Sequence, residues 1–151
     1  MALYTVDLKV YRKIFWPAAL TNFAAALISF VVVSTGHSLN LVFFGGDKLV
    51  FPVLIAMVLL AFAQASIIKR QLDNLVKYEE FDEKLSHYER IYKLRLFRSF
   101  LSCLASCLLY IVTGRDLFLY FAIFDAAFAM LAYPNKAIFR RELGNDDIVF
   151  L

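Results

Sequence analysis

Four long apolar stretches, separated by polar segments, dominate the pattern of hydrophobic and polar positions along this chain. They run over residues 14–34, 49–68, 97–113 and 117–133. A helix of about 20 apolar residues can cross a hydrocarbon core roughly 30 Å thick. None of the stretches alternates in polarity as the strands of a membrane barrel do. The pattern therefore predicts an all-α integral membrane protein, a four-helix bundle that forms a single domain over residues 1–151.

A polar segment, residues 69–98, divides the apolar sequence in two. Residues 53–113 contain no Gly and no Pro, so nothing there breaks a helix. We expect the second span to continue as a helix beyond residue 68, and Asp82 to cap the helix that returns to the third span. The segment then forms a helical hairpin that extends the second and third spans. Its apolar positions either zip the two arms together or dock a partner protein.

The basic residues predict an orientation. Of the 16 Lys and Arg residues, three precede the first span, eight lie in residues 69–98 and three follow the last span. Only Lys48 and Arg115 lie in the connections on the other side. The positive-inside rule therefore places the chain in the inner (cytoplasmic) membrane, with both termini and the hairpin in the cytoplasm.

Composition points to lipid as the solvent. Hydrophobic residues make up 62% of the chain and charged residues 19%, which is too apolar for a water-soluble domain of 151 residues. The net charge of +3 follows from the basic residues on one side of the membrane. We do not take it as a sign of nucleic-acid binding.

Three shorter segments complete the topology. Residues 1–13 form either a helix along the inner interface or a solvated tail, and the connection 35–48 either rests on the outer leaflet or re-enters the membrane. Between the third and fourth spans, we expect Gly114 to end one helix and Asp116 to cap the next. Residues 135–143 form an interfacial helix, with Asn135 as its cap and Gly144 at its end. Its basic residues, Arg140 and Arg141, face anionic head groups. We expect the remaining residues, to 151, to fray.

Asp125 is the only ionisable side chain well inside an apolar stretch. An aspartate at the centre of a membrane helix costs about 2.5 to 3.5 kcal/mol on insertion scales, so we expect it to face the bundle interior. At a rise of about 1.5 Å per residue, Asn22, Ser106 and Asp125 fall at one depth and form an intramembrane polar layer. Gln64 and Ser102 form a second, shallower layer.

Two chemical interpretations of Asp125 follow. It stays protonated and bonds Asn22 or Ser106 as interhelical glue, or it exchanges a proton or binds a cation during transport. A third interpretation is that Asp125 belongs to a site formed together with another subunit. Cys103 and Cys107, one helical turn apart and without neighbouring His or carboxylate ligands, are interpreted as packing residues. We therefore expect no metal and no cofactor.

Two stretches carry a resemblance to known proteins. The sequences DEKLSHYERIYKLRLFR, leading into the third span, and YPNKAIFRREL, after the fourth, resemble parts of small uncharacterised bacterial four-span membrane proteins. The resemblance covers the C-terminal half of the chain. It implies a bacterial inner membrane and no particular activity. Small multidrug-resistance transporters also have four spans, but this chain has Asn22 and no acid in the first span, where their essential glutamate lies.

The sequence as a whole predicts a non-enzymatic structural or accessory subunit of a membrane assembly. Its partners are the lipid bilayer and either a second copy or another membrane protein, which contacts the hairpin. One alternative is a small proton- or cation-coupled transporter that uses Asp125. A second alternative is a small membrane-embedded enzyme that acts on a lipid-soluble substrate.

Overall fold

The structure is a computed structural model that describes residues 4–39, 47–144 and 148–151. For residues 47–49 it describes the backbone alone. The two interpretations of the connection 35–48 depend on residues 40–46, which lie outside this description.

Most of the described chain is helical, as the apolar pattern predicts. The elements in chain order are β1 (Tyr4–Val6), α1 (Leu8–Ser34), α2 (Asp47–Leu75), α3 (Phe81–Thr113), α4 (Asp116–Ala129) with a 3₁₀ turn at Met130–Ala132, α5 (Lys136–Leu143) and β2 (Ile148–Phe150).

The first helix starts well before residue 14, because Asp7 caps it. The Asp7 carboxylate accepts a 2.8 Å hydrogen bond from the Lys9 amide. Pro17 consequently lies inside α1, where it removes one backbone hydrogen bond. The Thr21 hydroxyl donates to the Pro17 carbonyl at 2.6 Å in the same turns. Of the expected helix in residues 1–13, the described part contains residues 8–13, the start of α1, while Tyr4–Val6 form a strand.

Two of the predicted helix caps are wrong, and one predicted helix end is confirmed. Glu80 and Arg115 occupy the cap positions of α3 and α4, so Asp82 lies in the first turn of α3 and not at its cap. A carboxylate in the first turn still stabilises a helix through the helix dipole. Gly114 ends α3 in the left-handed region, at φ 66°, a conformation that other residues adopt at a cost.

The two ends of the chain meet in a parallel pair of strands. Tyr4, Thr5 and Val6 pair with Ile148, Val149 and Phe150. Val6 and Ile148 are 1% and 2% exposed. The expectation that the last residues fray is therefore wrong for β2, because β2 pairs with β1 and Ile148 is buried against the helices. We call this end of the molecule the strand end, and the end that holds Gly114 the far end.

Buried apolar side chains of the described residues form three groups along the molecule. The group at the strand end includes Val6, Tyr11, Phe15, Leu75, Tyr88, Tyr92, Phe139, Leu143 and Ile148. The middle group consists of Ala26, Cys103, Cys107, Ala122 and Ala126, from α1, α3 and α4. The group at the far end is Val50, Tyr110 and Phe118. Small side chains in the middle group allow α1, α3 and α4 to approach closely.

Helix α2 has fully buried side chains only at its two ends, within its described part Val50–Leu75. Leu75 is buried in the strand-end group and Val50 in the far-end group. Within the described part Val50–Leu75, the most apolar 18-residue window contains no buried side chain. The middle of α2 therefore stands beside a bundle of three helices.

In the described part of the chain, three helices are long and apolar enough to cross a membrane, namely α1, α2 and α3. The segments Asp116–Ala132 and Lys136–Leu143, bent by 77° relative to each other, make a fourth if the pair counts as one span.

Candidate functional site

Asp125 is held between α3 and α4 by two serines. Ser102 Oγ donates a 2.9 Å hydrogen bond to Asp125 Oδ2, and Ser106 Oγ lies 3.2 Å from the same oxygen. The serines are one helical turn apart, so a single face of α3 presents both. Ala122, about one turn before Asp125, and Ala126, next to it, are fully buried, which lets α4 lie close against α3. The structure thus brings Asp125 and Ser106 together.

The hydrogen bonds around Asp125 suit a neutral carboxyl group. Ser106 Oγ also lies 3.1 Å from the backbone oxygen of Ser102, yet a hydroxyl has only one proton to donate. If Asp125 is protonated, it donates to Ser106, Ser106 donates to the Ser102 carbonyl, and Ser102 donates to Asp125. Every proton is then used once, and no net charge lies in an apolar layer where charge is costly.

Asn22 does not join Asp125. It is 1% exposed, and its Nδ2 atom lies 3.4 Å from Ser99 Oγ. Its Oδ1 atom is buried and has no hydrogen-bond partner among the described residues. A position estimated from depth along the helices leaves out rotation about the helix axis. Ser99 faces α1 while Ser102 faces α4, so α3 bonds its two neighbours with different serines.

Gln64 lies on the stripe of α2 that faces the rest of the molecule. Met57, Gln64, Ile68 and Leu72 recur at helical spacing and are each half-buried. Met57 packs against the far-end group and Leu72 against the strand-end group, so Gln64 points to the same side between them. Ser102, which the sequence assigns to the layer of Gln64, bonds Asp125 instead.

The two carboxyl oxygens of Asp125 differ in their hydrogen bonds. Both hydrogen bonds go to Oδ2, and no donor within residues 4–39, 47–144 and 148–151 bonds Oδ1. The side chain as a whole is half-buried.

A second polar group lies at the strand end, where Glu142 of α5 meets α3. Tyr88 donates a 2.7 Å hydrogen bond to Glu142 Oε2, and Arg95 Nη1 lies 3.2 Å from Glu142 Oε1. Tyr88 is 1% exposed and the Glu142 side chain 9%. Burial, with the nearby Glu142 carboxylate as a smaller cause, raises the pKa of Tyr88 well above its usual range. The phenol therefore stays protonated and clamps α5 to α3.

Aromatic rings tie α1 into the same end. The Tyr11 ring lies edge-on to Tyr92 and Phe139, with centroid distances of 5.4 and 4.8 Å. Burial, and then the charge of Glu89, raises the pKa of Tyr11 to about 12. Tyr92 donates a 3.1 Å hydrogen bond to the Ala132 carbonyl. Edge-to-face pairs contribute about 0.5 to 1.5 kcal/mol each beyond burial, so this cluster makes the strand end the best-fixed part of the molecule.

The terminal helix has the predicted ends and an exposed basic face. Asn135 caps it by accepting a 3.2 Å hydrogen bond from the Ala137 amide, and Gly144 ends it at φ 60°. Arg140 and Arg141 are exposed, and the Arg140 guanidinium lies 5.6 Å from the centre of the Phe150 ring. Arg140 therefore rests partly on β2, while Arg141 is directed outward.

The thiols lie inside the bundle. Cys103 and Cys107 are 0% and 3% exposed, and Cys103 Sγ lies 3.5 Å from the Asn22 carbonyl oxygen. Among the described residues, no group of three or more His, Cys, Asp or Glu side chains is arranged to hold a metal ion.

Sequence reasoning missed the partners Glu142 and Ser99. Glu142 carries a signal, since it lies three residues after Phe139 and beside Leu143, on the apolar face of α5. A carboxylate on that face needs a buried donor. Ser99 carries a weaker signal, because nothing in its spacing separates it from Ser102 and Ser106.

No protein-family model matches this chain, and no curated protein or solved structure shows significant similarity to it. The fold itself defines a mostly helical protein with three or four helices suited to a membrane.

Proposed function

We propose that this chain is a structural or accessory subunit of an inner-membrane assembly. It crosses the membrane four times, with both termini and the hairpin of residues 69–98 in the cytoplasm. Support comes from the length and apolar character of α1, α2 and α3, and from the basic residues that flank the spans on one side.

The paired termini support an even number of crossings. β1 and β2 hydrogen-bond to each other, so both must lie on the same side of any membrane that the helices cross. With α1, α2 and α3 as three crossings, α4 with its 3₁₀ turn makes the fourth. The 77° bend after Ala132 then turns α5 along the membrane surface.

The observation that carries the proposal is the unpacked middle of α2. Leu59, Leu60 and Phe62 are 62%, 59% and 69% exposed, and no side chain in the most apolar window of the described helix is buried. Ala61 and Ala65, four residues apart, form a small step on this helix. We infer that a transmembrane helix from a partner or a second copy packs here.

The hairpin is a weaker candidate for partner contact. Its apolar positions Leu72, Leu75, Leu85, Tyr88 and Tyr92 pack within the strand-end group of the same chain. That packing favours zipped arms. Val76, at 67% exposure, lies at the end of the hairpin and stays available.

Site-specific photo-cross-linking in intact membranes tests the proposal. A photoreactive side chain at Ala65 is expected to give a discrete protein adduct, identified by mass spectrometry. Matched positions at Leu20 of α1 and Phe128 of α4, 62% and 59% exposed, are expected to give lipid adducts only. Tagged and untagged copies expressed together distinguish a second copy from another protein. Equal adducts at all three positions, or none at Ala65, contradict the proposal.

One observation favours proton- or cation-coupled transport as a second candidate. Asp125 holds both serines on Oδ2, and no donor among the described residues bonds its Oδ1. A carboxyl of this kind can release a proton or accept a cation. Proteoliposomes with a trapped pH dye test this function. Asp125→Asn abolishes a proton flux if the residue carries it, whereas Ser106→Ala, which keeps the carboxyl, retains most of it.

A further inference from the structure

Two neighbouring surface grooves on α3, near the strand end, share lining residues and together form one amphipathic groove, called the combined groove below. The first, about 380 Å³, is lined by apolar side chains of α1 and α3 that include Ile14, Ala18 and Phe100. The second, about 500 Å³, contains Ser86, Glu89 and Arg90 of α3. Both include Lys93 and Phe97, so the apolar groove opens directly into the polar one.

The combined groove lies at the height where the membrane surface is expected. Trp16, the single tryptophan of the chain, is 47% exposed on α1, close in sequence to Ile14 and Ala18. Tryptophan favours the boundary between hydrocarbon and head groups. The apolar groove extends from this level toward the span of α3, and the polar groove extends toward residue 86 on the cytoplasmic side.

The charges around the polar groove favour an anion. The lining of these two grooves contains two basic side chains, Arg90 and Lys93, and one acidic side chain, Glu89. Lys93 Nζ lies 2.6 Å from Glu89 Oε1, in a pair that is 55% and 39% exposed. Exposed pairs of this kind contribute little to stability, so a phosphate can take the place of Glu89. Arg90 supplies a second, bidentate donor.

We propose that the combined groove binds one anionic phospholipid of the inner leaflet. An acyl chain lies against Ile14, Ala18 and Phe100, and the phosphate contacts Arg90 and Lys93. This inference rests on the membrane location proposed above. It adds a specific lipid to the bulk bilayer that surrounds the protein.

Native mass spectrometry of the full chain in detergent tests the proposal. Phosphatidylglycerol and phosphatidylcholine with the same acyl chains are added separately, and the first bound lipid is quantified. Two basic residues near a membrane surface together predict a preference for phosphatidylglycerol of at least tenfold. The double variant Arg90→Gln, Lys93→Gln is expected to remove this preference, while Lys136→Gln, Arg141→Gln, an equal loss of charge on α5, keeps it. Ala18→Phe fills the apolar groove and is expected to weaken the first binding event for both lipids.

Three outcomes overturn the inference. They are equal affinity of the wild-type protein for the two lipids, an equal effect of the α5 control, and undiminished binding to Ala18→Phe. Circular dichroism checks that each variant keeps its helices. Failure of the membrane proposal looks different, because the protein would then stay folded and monomeric in buffer without detergent or lipid.

Discussion

Ser102 of α3 donates a 2.9 Å hydrogen bond to Asp125 of α4. This contact ties the two helices together where the side chains between them are otherwise small. The two interpretations of Asp125 require different things of this side chain. Interhelical glue needs only its hydrogen bonds, whereas transport needs it to exchange a proton or bind a cation.

Replacing Asp125 separates those roles. Interhelical hydrogen bonds in membranes contribute about 0.6 kcal/mol on average, so Asp125→Leu, which loses two, should lower the free energy of unfolding by about 1 kcal/mol. Asp125→Asn keeps a donor and an acceptor and should cost less. Equilibrium unfolding in mixed detergent and SDS measures both, with Ser66→Ala on exposed α2 as a neutral control. A transport phenotype lost in a fully stable Asp125→Asn protein would rule out a role as glue alone.

The clamp between Tyr88 and Glu142 should be energetically coupled. Hydrogen bonds to a charged partner contribute about 1.5 to 3 kcal/mol, so a double-mutant cycle of Tyr88→Phe and Glu142→Gln should give a coupling above 1 kcal/mol. The exposed pair Glu89 and Lys93 should give less than about 0.5 kcal/mol in the same assay. Chemical unfolding followed by circular dichroism measures both cycles. Equal couplings would contradict the clamp.

Local signals predicted helix ends well, since Asn135, Gly114 and Gly144 each act through their own backbone neighbours. They predicted poorly wherever a distant segment decides the structure. Ile148 to Phe150 read as a frayed tail because their partner strand begins at Tyr4, at the other end of the chain. The predicted caps Asp82 and Asp116 lie two positions and one position after the observed cap residues, Glu80 and Arg115, neither of which makes a side-chain cap hydrogen bond.

The candidate site was only partly predictable for a related reason. The cost of burying Asp125 in an apolar stretch is a property of the sequence, and so is its approximate depth. Which serine it meets depends on the rotation of α3 about its axis, and that is set by packing of all three bundle helices. The sequence therefore placed Asn22 beside Asp125, whereas the structure places it beside Ser99.

Alkaline pH should loosen the strand end. Burial raises the pKa values of Tyr11, Tyr88 and Tyr92 above the unfolded value of 10.0. The folded state therefore binds these protons more tightly, so their contribution to stability is complete below pH 10 and is lost as pH rises through the folded pKa values. Absorbance at 295 nm reports tyrosinate. Tyr88→Phe should leave the absorbance rise of the folded protein unchanged up to pH 11, and a smaller rise would contradict the burial of Tyr88.

The parallel register of the termini predicts a cross-link. Thr5 pairs with Val149, so Thr5→Cys and Val149→Cys together should form an intramolecular disulfide under mild oxidation. Non-reducing electrophoresis detects it as faster migration. Thr5→Cys with His37→Cys is the control, because His37 is exposed and follows α1 at the far end of the molecule. Failure of the paired cysteines to cross-link would show that the termini do not meet.

Thiol labelling from the two sides of the membrane tests the central claim, that these helices cross the bilayer with the hairpin in the cytoplasm. In a Cys103→Ala, Cys107→Ala background, Glu79→Cys reports the link between α2 and α3, and His37→Cys reports the far end. A membrane-impermeant maleimide should label His37→Cys in cells whose inner membrane is intact, and Glu79→Cys only after that membrane is opened. Labelling of Glu79→Cys in intact cells, with His37→Cys protected, would contradict the account.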